Sequence, residues 1–311
     1  MRTAFLRELA AIGAADPRVV LITGDLGFMA VEPFAEACPG RFFNAGVAEQ
    51  DMIGIASGLA EAGFLPFCYS IAPFASLRPF EFIRNGPAHH VWPVRAVGVG
   101  GGFDYGHAGY SHHGLEDIAV MRALPAMNVI APAEPAQAAA ALRATWDLPG
   151  PVYYRIGKDD RVAVPGLDGR FTLGGIERIR EGGDCLVVAT GAVAADAARA
   201  AVLLEARGVS AGLAVVASIR PAPDDALAAA MAGVPLVVTV EAHQRDGGLG
   251  SLVAEIIAER GIPARLLRRA ARAHPGGGVG GSGRTGSAAW LHRQHGLDAE
   301  SLAAAVAGAL A

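Results

Sequence analysis

Lysine is almost missing from this chain: Lys158 is the one lysine in 311 residues. Charge of either sign is sparse, at 18% of residues, and 26 basic against 30 acidic side chains leave a net charge of −4 with no run of like sign. A chain without a basic patch is not built for nucleic acid. Cysteine is scarce too, and Cys38, Cys68 and Cys185 are odd in number and far apart. That excludes a disulfide framework and any zinc-ligand spacing, and reads as three small buried hydrophobes. No apolar run approaches the length of about 18 residues that a membrane span needs. The first fifteen residues carry Arg2, Arg7 and Glu8 among apolar positions, which suits an amphipathic helix rather than a signal peptide and predicts a cytosolic protein. No Gly-Lys-Ser or Gly-Lys-Thr occurs, so there is no Walker phosphate loop.

What is present is apolar and glycine-rich: 52% hydrophobic residues and 41 glycines. The length suffices for two cores, and so little charge predicts a large buried subunit interface. Short apolar runs at 19–23, 64–68, 94–99, 128–131 and 152–155 read as buried strands, and they alternate with helical candidates at 49–62, 73–85, 115–124 and 135–146. This rhythm predicts an α/β fold with a doubly wound parallel sheet. From Gly157 to Gly183 periodicity fades, as in an extended linker. The rhythm then restarts, with strands at 185–189, 212–216 and 236–241 and helices at 192–207 and 250–260. The expected division is 1–170 and 171–311, the second domain being the smaller. His274-Pro275 opens onto a glycine run at 276–283 that reads as a mobile loop.

Two constellations carry chemistry. In Asn44-Ala45-Gly46-Val47-Ala48-Glu49-Gln50 a carboxylate stands at the start of a helix of almost wholly small and apolar residues. Either Glu49 complements the free N–H groups of the helix start, or it is a withdrawn acid that hydrogen-bonds a ligand nitrogen and tunes its protonation. In His107-Ala108-Gly109-Tyr110-Ser111-His112-His113-Gly114 three histidines share a glycine-rich loop. They suit substrate binding and proton transfer near neutral pH, and no ligand set of clear spacing accompanies them to hold a metal. The glycines at 98, 100, 101 and 102 follow a strand, but Phe103 stands where a dinucleotide fingerprint requires glycine, so a Rossmann dehydrogenase is a poor reading.

Six segments taken together carry a family resemblance: Gly24-Asp25-Leu26, Asn44 to Gln50, Gly63-Phe64-Leu65-Pro66, Ser111-His112-His113, Met121-Arg122-Ala123-Leu124-Pro125, and Glu241-Ala242-His243 with Gly247-Gly248-Leu249-Gly250-Ser251. In this order, over nearly the whole chain, they resemble the later part of transketolase and its thiamine-diphosphate relatives. The resemblance spans the pyrimidine-binding and C-terminal domains. The Gly-Asp-Gly motif by which the family holds the cofactor diphosphate and Mg²⁺ occurs nowhere in the sequence. The resemblance therefore implies one subunit of a split transketolase, inactive alone, with an α₂β₂ assembly in which an N-terminal-type partner supplies the diphosphate and metal site.

The resemblance also implies roles. Glu49 would hydrogen-bond the pyrimidine N1′ of thiamine diphosphate, and Phe74 would pack on the aminopyrimidine with Ile71 nearby. His112 would contact substrate and steady charge, with His107 and His113 beside it, and Arg155 would hold a sugar phosphate. Ile71 and Leu77 stand where transketolases commonly have aromatics. Ala108 replaces an acceptor-reading Asp, and the expected histidine is missing near Gly100 and Gly101, which predicts an acceptor other than an ordinary sugar phosphate. Two alternatives remain open: a 2-oxo-acid dehydrogenase E1 β-like subunit, and a non-catalytic structural or regulatory subunit. Glu241 and His243 read as structural.

Overall fold

A computed structural model describes residues 1–272 and 285–311. The segment His274-Pro275 and the glycine run after it lie outside the described residues. The first half supplies strands β1 (Val19–Thr23), β2 (Phe42–Asn44), β3 (Leu65–Ile71), β4 (Arg95–Val99), β5 (Asn128–Ile130) and β6 (Val152–Ile156). The second supplies β7 (Glu177–Arg180), β8 (Cys185–Thr190), β9 (Ala211–Val215), β10 (Ser218–Arg220), β11 (Leu236–Gln244) and β12 (Arg265–Ala271).

Every residue of β1, β4 and β6 is buried, as befits central parallel strands covered by helices on both faces, and this is why they read as unbroken apolar runs. The first sheet has seven strands in the order β10-β5-β6-β4-β3-β1-β2, all parallel except β10. The second has five, in the order β12-β11-β8-β9-β7, parallel except at β7. The expected α/β class with mostly parallel sheets is what the chain adopts.

Three expectations need correction. The helix predicted over 73–85 is broken into Ala72–Ser76, Phe80–Ile83 and a wide turn at Arg84–Ala88, because Pro79 lacks the N–H that a continuous helix requires. The segment 157–183 is not a free linker. Val164 and Leu167 are buried, and the Glu134 carboxylate accepts the N–H groups of Val164 and Gly169 at 2.9 Å each. Finally, β10 comes from the second half but pairs antiparallel with β5. One apolar cluster accordingly joins Ile22, Met52 and Ile118 to Leu186, Leu227 and Leu249, so the two halves share core. The division expected at residue 170 falls in the irregular stretch between β6 and β7.

All three cysteines are buried and unpaired. No described helix is long and apolar enough to cross a membrane.

Candidate active site

The carboxyl ends of β1, β3 and β4 converge on one edge of the first sheet, the edge where open α/β sheets receive ligands. Glu49 opens the helix Glu49–Glu61 there and is 2% exposed. Its two oxygens differ. Oε1 accepts a hydrogen bond from Ser70 Oγ at 2.9 Å, and Ser70, on β3, is fully buried. Oε2 accepts from Arg78 Nη1 at 2.9 Å, and that arginine is 43% exposed. Gly24, after β1, leaves room for the acid: a side chain there would start 3.4 Å from Glu49 Oε1.

Beside Glu49 the short helix Ala72–Ser76 presents Phe74. The Arg78 guanidinium carbon lies 3.7 Å from the centre of that ring, and the His112 ring meets it edge-on at 5.0 Å. Ser111 Oγ is 3.0 Å from His112 Nδ1. Tyr105 lies 6.3 Å from His112, and Lys158 Nζ stands 4.5 Å over the Tyr105 ring. An acid, an aromatic face, a half-buried imidazole and an exposed cation thus form one chain of contacts. Ile71 ends β3 one residue before the Phe74 helix and is half-buried.

The other expected site residues are placed elsewhere. Arg155 is buried and bonded within the chain. Its Nε donates to Asp117 Oδ2 at 2.8 Å, and Nη2 donates to the carbonyls of Gly114 and Ala242 at 2.8 and 2.9 Å, in a buried network that joins the two halves. Nε and Nη2 are thereby committed to the chain, which leaves Arg155 holding the two halves together. His113 is 2% exposed against Phe103, its Nε2 is 3.5 Å from the Gly106 carbonyl, and burial holds its pKa below the usual imidazole value. It is a packing residue. His107 is exposed on the short turn Gly106–Ala108.

Sequence reading missed Arg78, Tyr105 and Lys158. The signal for Arg78 was its position four residues after Phe74, a spacing that brings side chains together on a helical turn. Tyr105 also accounts for the histidine missing near Gly100 and Gly101. A Cβ at Gly100 would fall 2.2 Å from the Tyr105 ring, and one at Gly101 would fall 2.6 Å from the Arg155 guanidinium. The space that a side chain would need is already filled.

In the second sheet, Glu241 accepts the N–H groups of Leu249 and Gly250 at 2.8 Å each and caps the helix Leu249–Arg260. His243 accepts from Ala119 N–H at 3.3 Å, and its Nδ1 lies 2.8 Å from the Gln244 carbonyl. Both residues tie elements together.

Fold and site define a two-domain α/β protein whose polar cluster sits at the carboxyl edge of its larger parallel sheet. Comparison with known families narrows the class. The profile described as the transketolase pyrimidine binding domain matches residues 1–161, and the transketolase C-terminal domain matches residues 174–301. The chain belongs to the transketolase family. It is 34% identical over 271 residues to one of the subunits of the apulose-4-phosphate transketolase of Phocaeicola vulgatus, covering 86% of each chain. It is 35% identical over 269 residues to the SqwH subunit of the 6-deoxy-6-sulfo-D-fructose transketolase of a Clostridium species, covering 86% of this chain and 83% of that one. Among solved structures it resembles a split gene transketolase described as an inactive β4 tetramer, with a TM-score of 0.87 and 35% identity, over 99% of this chain and 97% of that chain.

Proposed function

We propose that this chain is the pyrimidine-binding subunit of a split, thiamine-diphosphate-dependent transketolase that moves a two-carbon ketol unit from a ketose donor to an acceptor. The carrying observation is Glu49: a 2%-exposed carboxylate with one oxygen fixed by buried Ser70 and the other held only by the exposed Arg78. A buried acid with one oxygen reachable from the open side fits a ring nitrogen that must be held and kept in a chosen protonation state. Phe74 offers the adjoining flat face. When bound, thiamine diphosphate supplies the carbon nucleophile and the electron sink.

This chain's residues supply the surroundings. His112, oriented by Ser111, offers a ring nitrogen beside Phe74 and serves the substrate oxygens. Lys158 takes over the anion contact expected of Arg155, since it is an exposed cation at the cluster that pairs with no carboxylate among the described residues, whereas Arg78 is paired with Glu49. That suits an anionic ketose substrate, in keeping with a phosphate and a sulfonate in the names of two relatives' substrates. The diphosphate and divalent metal contacts belong to a partner subunit. In support, Phe28, Met29, Phe43, Val47 and Ile55 are from 50% to 84% exposed on and beside the loops that lead to Glu49, an apolar face that calls for a covering chain. The inactive homotetramer of the split-gene relative supports the same need.

The test is reconstitution with the partner and assay of thiamine-diphosphate-dependent ketol transfer. Glu49→Gln is expected to lower kcat by at least about 100-fold, and near-normal turnover overturns the reading. Efficient use of xylulose 5-phosphate with ribose 5-phosphate overturns the expectation of an unusual acceptor.

A further inference from the structure

We propose that Arg78 is a displaceable occupant of the seat that the cofactor's aminopyrimidine takes, and so sets the affinity of the site for it. The proposal rests on the reading of Glu49 and Phe74 just given. Those two residues are the anchors available to a flat, hydrogen-bonding heterocycle. One side chain satisfies both at once: Arg78 Nη1 donates to Glu49 Oε2 at 2.9 Å while its guanidinium lies 3.7 Å over the Phe74 ring centre. A guanidinium is planar and delocalised, forks toward carboxylates and stacks on aromatic faces. It therefore reproduces, from within the chain, both contacts of a bound pyrimidine.

The arrangement has a physical reason. Glu49 is nearly sealed from water, and a buried carboxylate with an unpaired oxygen is costly. Ser70 covers Oε1 permanently because it is itself buried on β3. Arg78 covers Oε2 from a 43%-exposed position, from which a long side chain swings into water as an incoming donor takes its place on Oε2, so that the buried oxygen stays paired. The first partner belongs to the fold and the second is removable. The apparent dissociation constant for the cofactor is then the intrinsic one divided by the fraction of molecules in which Arg78 has swung away. An ion pair buried at Glu49 and exposed at Arg78, together with the cation–π contact, makes that factor at least about 3-fold.

The experiment measures thiamine diphosphate binding, by calorimetry or fluorescence quenching at fixed Mg²⁺, to the chain assembled with its partner. Arg78→Ala is expected to bind at least about 3-fold more tightly than wild type, with Arg78→Lys in between because an ammonium keeps the charge but not the plane. In a Glu49→Gln background, Arg78→Ala is expected to give a distinctly smaller gain, since one of the two contacts is already gone. Saturable wild-type binding with affinity unchanged or weakened in Arg78→Ala overturns this proposal alone: unchanged affinity makes Arg78 a structural ion pair, and weakened affinity makes it a direct cofactor contact. No saturable wild-type binding overturns the reading of the site as well.

Discussion

At the scale of single residues, the partners of a buried polar group set how it can be used. Ser70 and Glu49 are both buried and paired. Ser70→Ala leaves Oε1 without its donor and is expected to cost about 1 to 3 kcal/mol of stability, read from denaturant unfolding. Glu241 and His243 give a pH signature. Burial pushes the Glu241 carboxyl up to about 7, against the pull of the Leu249 and Gly250 N–H groups, and burial pushes His243 down to about 4. The raised carboxyl favours the fold at low pH, and that contribution is lost as pH rises through about 7. The lowered imidazole favours the fold above its ordinary value of 6.5, and its contribution is lost as pH falls toward about 4. Between about 4.5 and 6.5 the two slopes oppose. His243→Asn is therefore expected to gain stability relative to wild type as pH falls through that window, as Tm measurements between pH 5 and 7 will show. Parallel curves refute the assignment.

At the scale of elements, tight approaches place the site. Gly98, in the middle of β4, lies where a Cβ would come 2.5 Å from Tyr153 Oη and 2.9 Å from the Ala72 backbone. Ala72 begins the helix that carries Phe74. Gly98→Ala must push that helix outward, with an expected loss of about 1 to 3 kcal/mol and weaker thiamine diphosphate binding. Unchanged Tm and unchanged binding together contradict this. The long buried runs β1, β4 and β6 were legible because a strand covered on both faces has no polar alternation to blur it. Strands β2, β7, β10 and β12 were not. β2 is three residues long and exposed at Phe43 and Asn44, and β12 carries Arg265, Arg268 and Arg269 within it, so neither shows an apolar run.

At the scale of the whole molecule, Arg155 joins the halves. It pairs with Asp117 and donates to carbonyls on both sides, at Gly114 and Ala242. Arg155→Leu leaves Asp117 as a buried charge deprived of that partner and is expected to cost about 3 to 5 kcal/mol. The readout is a lowered Tm in the chain alone. A raised KM for an anionic substrate with unchanged Tm would restore the substrate-binding role instead. The exposed apolar face near Glu49 gives the assembly prediction: Ile55→Glu is expected to block association with the partner subunit, seen by size-exclusion chromatography, while the Tm of the separate chain changes little because Ile55 is 51% exposed.

The sequence by itself determined the α/β class, the two families of parallel strands and the position of Glu49 at a helix start, because apolar runs, their periodicity and punctuating glycines are local signals that survive folding. The six resembling segments did the same for the family. Only the tertiary structure decided which cation is free and which is spent. Arg155 and Lys158 are three residues apart, yet one is sealed by Asp117, which is 38 positions away in the chain, and the other reaches solvent over Tyr105. Tertiary structure likewise gave the two oxygens of Glu49 different partners, one buried on β3 and one from an exposed turn. Burial and long-range pairing belong to the packed chain, and no spacing along the sequence encodes them.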